Sequence, residues 1–276
     1  MIDGETRLYG IIGNPVRHTL SPVIHNRAFK RMGLNAVYLA FEVCRLESTV
    51  EGIRGLGIQG VSVTIPFKMD VIPYLDEIDT MAARIKAVNT VTNKGGRLIG
   101  HNTDWKGALA ALEAKVDLSG KRVYLFGAGG AARAVAFGLK ESGARITVFN
   151  RSAERARELA NELGCLHQPL SSIGEASGLD ADLLINATSA GMHPNDGESP
   201  VPKRILKKGM AVMDLVYSPL RTRLLREAEQ QGCQTIDGLE MLAHQGAAQL
   251  EIWTGKRPDV REIKEDLRKA LGRNGD

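Results

Sequence analysis

Four side chains in the first part of the chain are of types that could act on a small anionic molecule. Thr19 and Ser21 carry hydroxyls one residue apart, and both could donate hydrogen bonds to one carboxylate. Lys68 follows an apolar run, where an ammonium group could act as a general acid or base. Asp104, in HNTDW, supplies a carboxylate where a helix begins. Structural alternatives stay open: a helix cap for Ser21 and Asp104, and a solvated surface position for Lys68.

The glycines of GAGGAA indicate a second kind of chemistry, the binding of phosphate. Gly127, Gly129 and Gly130 follow a β-prone run, and a helical pattern over 131–139 and a second strand over 145–149 come next. This order is typical of a dinucleotide-binding unit, in which Gly127 permits the tight turn. Gly129 lets the backbone approach a pyrophosphate at the N-terminus of the helix. The alternative is a plain tight turn between a strand and a helix.

The end of the second strand indicates which dinucleotide is bound. Units that bind NAD usually place a carboxylate there, which accepts from the ribose 2′-hydroxyl. This chain instead has Asn150, Arg151, Ser152 and, one short step on, Arg155. Two guanidinium groups suit a 2′-phosphate, because they can form forked, charge-assisted hydrogen bonds. We therefore predict NADP(H) as the cofactor, while Ser152 can at the same time be an ordinary helix cap.

Strands and helices that alternate along the chain must position these residues. Before the glycine turn, the patterns predict strands over 7–13, 36–43 and 61–65, helices over 21–32, 46–56 and 71–78, and a hairpin over 88–93 and 97–101. After it, they predict strands over 183–187, 210–215 and 233–236, with helical segments between and beyond them. The predicted fold class is α/β, with one α/β domain preceding a Rossmann-like domain.

Composition limits the class of protein. The chain has 276 residues, 43% of them hydrophobic, so it can form two domains with sizeable cores. A formal net charge of +4, with charges of both signs along the chain, fits a small anionic partner. We expect no binding to nucleic acid. No apolar run is long enough to span a membrane and no secretory leader is evident, so we expect no association with a membrane. Cys44, Cys165 and Cys233 lack metal or disulfide spacing, which indicates a reducing cytoplasm and no bound metal.

Eight stretches, in this order, resemble the shikimate dehydrogenase family over nearly the whole chain. They are GNPVRHTLSP, SVTIPFK, AVNTV, HNTDW, GAGGAARA, NRS, NATSAGM and DGLEMLAHQG. The resemblance implies an oxidoreductase that reduces 3-dehydroshikimate to shikimate with NADPH, in the pathway to the aromatic amino acids. It also implies a substrate-binding domain over 1–104, to which helices of 239–276 return, and a Rossmann-like domain over 105–238. A homodimer is left open.

The resemblance further implies roles for individual residues. Lys68 and Asp104 match the catalytic pair. The substrate residues are matched by Thr19 and Ser21 at the carboxylate, with Tyr217 nearby, and by Thr64, Asn89 and Gln245 at or beside the ring hydroxyls. The pyrophosphate turn is matched by Gly127, Ala128, Gly129, Gly130 and Ala131. The adenosine-phosphate site is matched by Asn150, Arg151, Ser152 and Arg155, and the nicotinamide side by Thr188, Leu215 and Gly238.

The chain departs from the family pattern at four positions. They are Thr19 for the commoner Ser, Ser62 for Asn, Trp105 for Gly, and Glu240 for Gly. None of these removes a proposed catalytic group, and Thr19 puts substrate fit most in question. Two alternative functions stay open: a quinate/shikimate dehydrogenase of the same fold using NAD or NADP, and a non-enzymatic NADP-binding regulatory protein.

Overall fold

The computed structural model describes residues 2–174 and 180–273. The chain divides into two compact units. The first unit comprises Met1–Asp104 and Ala243–Asp276, and the second comprises Trp105–Leu242. Met1 and residues 175–179 and 274–276 belong to the predicted domains but lie outside the described residues. No helix of the described ranges combines the length and the apolar character needed to cross a membrane.

Strands and helices alternate along most of the described chain, which confirms the predicted α/β class. The strands are β1 (Arg7–Gly13), β2 (Ala36–Glu42), β3 (Gly60–Val63), β4 (Glu77–Ile78), β5 (Thr90–Lys94), β6 (Arg97–His101), β7 (Arg122–Phe126), β8 (Arg145–Asn150), β9 (Leu166–Pro169), β10 (Leu183–Asn186), β11 (Ala211–Asp214) and β12 (Gln234–Ile236). The α-helices are α1 (Ser21–Arg31), α2 (Leu46–Gly55), α3 (Thr80–Ile85), α4 (Asp104–Glu113), α5 (Gly130–Glu141), α6 (Ala153–Leu163), α7 (Arg223–Gln230), α8 (Gly238–Thr254) and α9 (Val260–Arg273).

The first unit is built on a mixed sheet with the strand order β2-β1-β3-β5-β6-β4. β1 pairs in parallel with β2 and β3, whereas β5 runs antiparallel to both β3 and β6. β1 is buried from Tyr9 to its end, as a central strand should be. Ile12 of β1 lies beside Val63 of β3 in the parallel register. Because of this register, the loops that follow β1 and β3 leave from the same edge of the sheet.

The C-terminal helices pack on this first unit, as predicted. In α9, the carboxylate of Asp266 forms ion pairs with Arg27 and with Arg31 of α1, each at 2.7 Å. In α8, the indole N–H of Trp253 donates to the main-chain oxygen of Val91 in β5 at 3.1 Å. Ion pairs therefore hold α9, while α8 is hydrogen-bonded to the sheet itself.

The second unit is a parallel sheet of Rossmann type. Its strand order is β12-β11-β10-β7-β8-β9, and every neighbouring pair is parallel. The order reverses between β7 and β10, and ligands of such sheets bind beyond the carboxyl ends of the strands at this point. The glycine turn lies directly after β7 and leads into α5. The predicted Rossmann-like unit is confirmed.

Some local predictions differ from the structure. The segment 71–78, predicted as a helix, forms one short 3-10 turn over Ile72–Tyr74 and then β4. Pro73 lacks an amide hydrogen, and the main chain of Asp76 donates to Leu98 of β6 at 3.0 Å. Pairing with β6 therefore replaces the helical hydrogen bonds. The elements α3 and β9 were not predicted, and all residues of β9 are exposed, so β9 has no alternating pattern to detect.

His25, in α1, is a buried histidine in the aromatic core of the first unit. It has no exposed surface, and its ring centroid lies 4.2 Å from that of Tyr38 and 5.3 Å from that of Trp253. Burial lowers the pKa of His25 from 6.5 to about 3. Between these two values the unfolded chain binds a proton that the folded chain does not. The free energy of unfolding should therefore fall as the pH falls through this window.

We expect His25→Phe to make the first unit less sensitive to acid. One proton contributes a slope of about 1.4 kcal/mol per pH unit, so the wild type should lose stability more steeply than the variant by this amount between about pH 6 and 4. Urea unfolding followed by Trp253 fluorescence in a Trp105→Phe background measures the slope, because the chain has only these 2 tryptophans. Parallel pH profiles for the two proteins would contradict the assignment.

Candidate active site and cofactor site

Lys68 and Asp104 form an ion pair in the first unit. The Lys68 ammonium lies 2.5 Å from Oδ2 of Asp104, and the two side chains are 14% and 5% exposed. Lys68 follows β3, and Asp104 is the first residue of α4. A solvated surface position for Lys68 is therefore wrong. An enclosed ammonium beside a carboxylate can stabilise negative charge on a bound molecule and donate a proton to it.

Asn89 and Gln245 lie next to this pair. The amide nitrogen of Asn89 donates to Oδ1 of Asp104 at 2.9 Å and to Oε1 of Gln245 at 3.3 Å. The main-chain N–H of Thr103 donates to the Asn89 side-chain oxygen at 2.7 Å, which fixes the orientation of the amide. Both oxygens of Asp104 thus have side-chain partners, which a helix-cap role alone does not explain.

Thr19 and Ser21 form a pair of hydroxyls in the loop that leads from β1 into α1. The Thr19 hydroxyl donates to the Ser21 oxygen at 3.1 Å, and it accepts from the Ser21 main-chain N–H at 3.2 Å. α1 begins at Ser21 itself, and its N-cap is Leu20, which makes no side-chain cap hydrogen bond. The interpretation of Ser21 as an N-cap is therefore wrong. Thr64 follows β3 at the same sheet edge, and its main-chain N–H donates to Ile12 at 3.0 Å.

The glycine turn of the second unit has two distinct requirements for glycine. Gly127 has a φ of +113°, and a Cβ there would come within 2.9 Å of the main-chain oxygen of Ala187. Gly129 is exposed and is the N-cap of α5, with no side-chain cap hydrogen bond. A Cβ at Gly129 would meet no protein atom within 4 Å, so the backbone there faces open space. An uncapped helix N-terminus beside open space fits a pyrophosphate.

The other residues predicted for this turn take up the start of α5. Ala128 is buried, and Gly130 and Ala131 are the first residues of the helix. Their main-chain N–H groups belong to the first turn, where an α-helix has no internal acceptors for its donors.

The end of β8 combines a helix cap with two available guanidinium groups. The Asn150 amide donates to the main-chain oxygen of Ser152 at 3.0 Å, and the Ser152 hydroxyl accepts from the Arg155 main-chain N–H at 3.3 Å. Ser152 is thus the N-cap of α6. Arg151 and Arg155 are exposed. Within residues 2–174 and 180–273, neither guanidinium group has an ion-pair or hydrogen-bond partner. This geometry fits a 2′-phosphate.

A buried acid organises the loops that carry the residues predicted for the nicotinamide side. The Asp214 carboxylate, at the end of β11, accepts from the Asn186 amide at 2.9 Å, the Thr222 hydroxyl at 2.7 Å and the Val216 N–H at 3.0 Å. Burial nevertheless raises the pKa of Asp214 to about 6. The Thr188 hydroxyl donates to the Asn186 oxygen at 2.7 Å.

Two further predicted residues, Leu215 and Gly238, adjoin this cluster. A Cβ at Gly238 would lie 2.5 Å from the main-chain oxygen of Leu215, so these two positions are in close contact. Tyr217 follows β11 in the second unit. Among the predicted substrate residues, those of the first unit therefore cluster around Asp104 and the sheet edge, while Tyr217 belongs to the other unit.

Comparison with known proteins identifies the family. Residues 11–91 match the shikimate dehydrogenase substrate binding domain, residues 108–216 the shikimate / quinate 5-dehydrogenase family, and residues 238–268 the shikimate 5'-dehydrogenase C-terminal domain. A shikimate dehydrogenase (NADP(+)) of Thermococcus kodakarensis is 48% identical over 262 residues, which cover 94% of this chain and 95% of that protein. This chain belongs to the shikimate dehydrogenase family.

Other members of the shikimate dehydrogenase family are similar to the chain over nearly its whole length. The shikimate dehydrogenase (NADP(+)) of Pyrococcus furiosus is 47% identical over 261 residues, covering 94% of each chain. The crystal structure of a shikimate 5-dehydrogenase from Thermus thermophilus, in complex with NADP(H) and shikimate, is 41% identical with a TM-score of 0.87. The match covers 96% of this chain and 100% of that one. The resemblance predicted from the sequence motifs is confirmed.

Several polar residues of these sites were not predicted. Asp214 and Asn186 were missed as the acid and amide behind Thr188, and Ser62, Thr90 and Gln249 were missed as hydrogen-bond partners behind Asn89. A signal existed for Gln249, because it stands four residues after Gln245 on α8 and so lies on the same helix face. A polar residue on a helix face that is otherwise apolar indicates a buried partner.

The contrast between Ser21 and Ser152 generates a stability prediction. Ser152→Ala removes a cap hydrogen bond of α6 and should lower the free energy of unfolding by about 0.5–2 kcal/mol. Ser21→Ala removes no cap, and Thr19 is partly exposed and can bond to water instead, so we expect a loss below about 0.5 kcal/mol. Thermal unfolding of the two variants tests this. A larger loss for Ser21→Ala than for Ser152→Ala would mean that Ser21 stabilises the start of α1 after all.

Proposed function

We propose that this chain is an NADP-dependent shikimate dehydrogenase, which reversibly reduces 3-dehydroshikimate to shikimate with NADPH. The observation that carries the proposal is the enclosed ion pair of Lys68 and Asp104, with Asn89 donating to the second oxygen of the acid. Membership of the family over nearly the whole chain supports the same activity. Arg151 and Arg155 are exposed, and their guanidinium groups have no partner in the described part of the chain, which supports NADP rather than NAD.

The substrate has a carboxylate, a ring ketone and ring hydroxyls, and the first unit offers a group for each. We assign the carboxylate to the paired hydroxyls of Thr19 and Ser21, and we carry over Tyr217 from the sequence prediction as a further carboxylate ligand. Thr64, Asn89 and Gln245 are assigned to the ring hydroxyls. Because Ser21 does not cap α1, its hydroxyl is available to a ligand, which supports this assignment.

The proposed catalytic groups act on protons. When bound, NADPH supplies the hydride to the ring ketone. The Lys68 ammonium stabilises the negative charge that develops on the ketone oxygen and then donates a proton to it. Asp104 holds that ammonium at 2.5 Å through one oxygen and can accept from a substrate hydroxyl. In the reverse direction Lys68 accepts the proton from the hydroxyl that becomes the ketone.

The proposed cofactor residues all belong to the second unit. Gly127, Gly129 and the first turn of α5 would hold the pyrophosphate, with Ala128, Gly130 and Ala131 completing the turn. The 2′-phosphate would be bound by Asn150, Arg151, Ser152 and Arg155. Thr188, Leu215 and Gly238 would line the nicotinamide, in loops held by the buried Asp214.

The proposal places the enzyme in a reducing compartment. Cys44, Cys165 and Cys233 are free cysteines, which supports the cytoplasm. The homodimer that the sequence leaves open is not part of the proposal.

An assay of nicotinamide absorbance tests the function directly. The purified protein is given shikimate, quinate and simple hydroxy acids, each with NADP and with NAD. We expect the highest kcat/KM with shikimate and NADP. Preference for quinate or NAD would favour the quinate/shikimate alternative, and absence of turnover with every pair would favour the non-enzymatic alternative.

Lys68→Ala should lower kcat by about 10²–10⁴-fold, the usual range for a general acid or base, with a much smaller effect on shikimate binding. Lys94→Ala is the matched control, because Lys94 is an exposed lysine at the end of β5. Steady-state kinetics of both variants in the same assay make the comparison. Turnover of Lys68→Ala within a few-fold of the control would overturn the proposed role of Lys68.

Arg151→Ala should weaken the binding of NADP by roughly 10–100-fold, since a charge-assisted hydrogen bond to the phosphate contributes about 1.5–3 kcal/mol. NAD lacks the 2′-phosphate and should be nearly unaffected, and the difference should shrink with added salt because Arg151 is exposed. The KM of each cofactor is measured in wild type, Arg151→Ala and Arg145→Ala, an exposed arginine at the opposite end of β8. Equal losses for NAD and NADP would show that Arg151 does not read the phosphate.

A further inference from the structure

A single file of side-chain hydrogen bonds runs through the core of the first unit and ends at the proposed catalytic acid. Its members, in order, are Tyr38, Ser62, Gln249, Thr90, Asn89 and Asp104. The five donor–acceptor distances along it are 2.6, 2.9, 3.0, 2.8 and 2.9 Å. All six residues are buried. The bonds therefore lie where water does not compete for them.

The direction of the last bond is set by the main chain. The N–H of Thr103 can only donate, and it lies 2.7 Å from the side-chain oxygen of Asn89. The amide nitrogen of Asn89 must then be on the other side, where Oδ1 of Asp104 accepts from it at 2.9 Å. If the Asn89 amide were reversed, its NH2 group would face the N–H of Thr103, so that two donors would meet. Its oxygen would face Oδ1 of Asp104, so that two acceptors would meet.

The directions of the earlier bonds follow from Gln249 in the same way. Its amide nitrogen lies 3.1 Å from the main-chain oxygen of Asn89, which can only accept. Oε1 of Gln249 must therefore be the atom that accepts from Ser62 at 2.9 Å. Ser62 has one proton, and since it is given to Gln249, the Ser62 oxygen accepts from Tyr38.

Thr90 completes the sequence of donors. Its oxygen accepts from the Gln249 amide at 3.0 Å, so its single proton goes to the Asn89 side-chain oxygen at 2.8 Å. Every donor in the file consequently points toward Asp104. Hydrogen bonds aligned head to tail polarise one another, and the last donor of such a series is strengthened toward its acceptor.

We propose that Gln249 is a positioning residue for the Lys68–Asp104 pair, acting through Thr90 and Asn89. This inference rests on the proposed function. The Gln249 amide donates to the main-chain oxygen of Asn89. Gln245, one turn earlier on α8, contacts the Asn89 side chain. The helix thus fixes Asn89 at two points, and Asn89 fixes the carboxylate that Lys68 shares. Loss of the Gln249 amide lets the carboxylate shift, and shifts of about 1 Å can cost about 100-fold in rate.

A pair of identical substitutions on one strand tests the proposal. Thr90→Val removes a hydroxyl of the file and keeps the side-chain shape. Thr92→Val makes the same change two residues along β5, where the buried hydroxyl has no hydrogen-bond partner among the described residues. We expect kcat per folded enzyme at saturating shikimate to fall by about 3- to 10-fold in Thr90→Val and to stay within about two-fold in Thr92→Val.

A stronger variant tests Gln249 itself. Gln249→Met preserves volume and removes both polar ends, and kcat should fall by about 10- to 100-fold. Its control is Trp253→Phe, one turn further along α8, which loses a hydrogen bond to Val91 outside the file. That variant should lose thermal stability but keep kcat. The KM for NADP should stay within about two-fold in all four variants, because every member of the file belongs to the first unit.

The outcomes separate the inference from the function on which it rests. Absence of shikimate turnover in the wild type would overturn both. An active wild type whose Gln249→Met and Thr90→Val variants keep kcat within about two-fold would overturn only the positioning role. If Gln249→Met does not fold, the Thr90→Val and Thr92→Val pair decides alone, and equal kcat in that pair overturns the proposal.

Discussion

The carboxylate of Asp104 has two oxygens, and the arrangement of the first unit depends on the two groups that share them. Lys68, in the loop after β3, donates to one oxygen at 2.5 Å, and Asn89, just before β5, donates to the other at 2.9 Å. A charge enclosed at this depth is stable only when it is paired and hydrogen-bonded. The sheet order that puts β5 beside β3 therefore serves the site directly, since it brings both donors to one acid.

The second unit has a buried acid of its own, at the end of β11, and its partners differ from those of Asp104. Asp214 receives three neutral donors and no ammonium or guanidinium group among the described residues. Burial raises its pKa to about 6. Asp104 has an ammonium group as its partner instead. The two acids thus suit different tasks: Asp214 ties together the loops around Thr188, whereas Asp104 holds a group that can exchange a proton with a ligand.

Much of the fold could be predicted because it depends on residues that are close in the chain. The strands around GAGGAA are short apolar runs, and Ser152 caps α6 as its position before the helix suggested. The exceptions have physical causes. Pro73 and pairing with β6 replaced a predicted helix by β4, and the exposed β9 has no pattern to detect. Ser21 resembled a cap in sequence, but α1 begins one residue earlier than that role requires.

By itself, the sequence determined the features that a few consecutive residues control. Gly127 needs a positive φ in a tight turn, and the absence of a carboxylate after Phe149 is visible in the letters alone. The motifs also indicated the family, and the family pattern predicted Lys68 and Asp104 as the catalytic pair. Only the tertiary structure decided what lies behind those residues. Ser62 and Gln249 are 187 positions apart and share a hydrogen bond, because β3 and the returning helix α8 meet in one core. No local pattern encodes such a contact, since it depends on strand order and on the return of the chain.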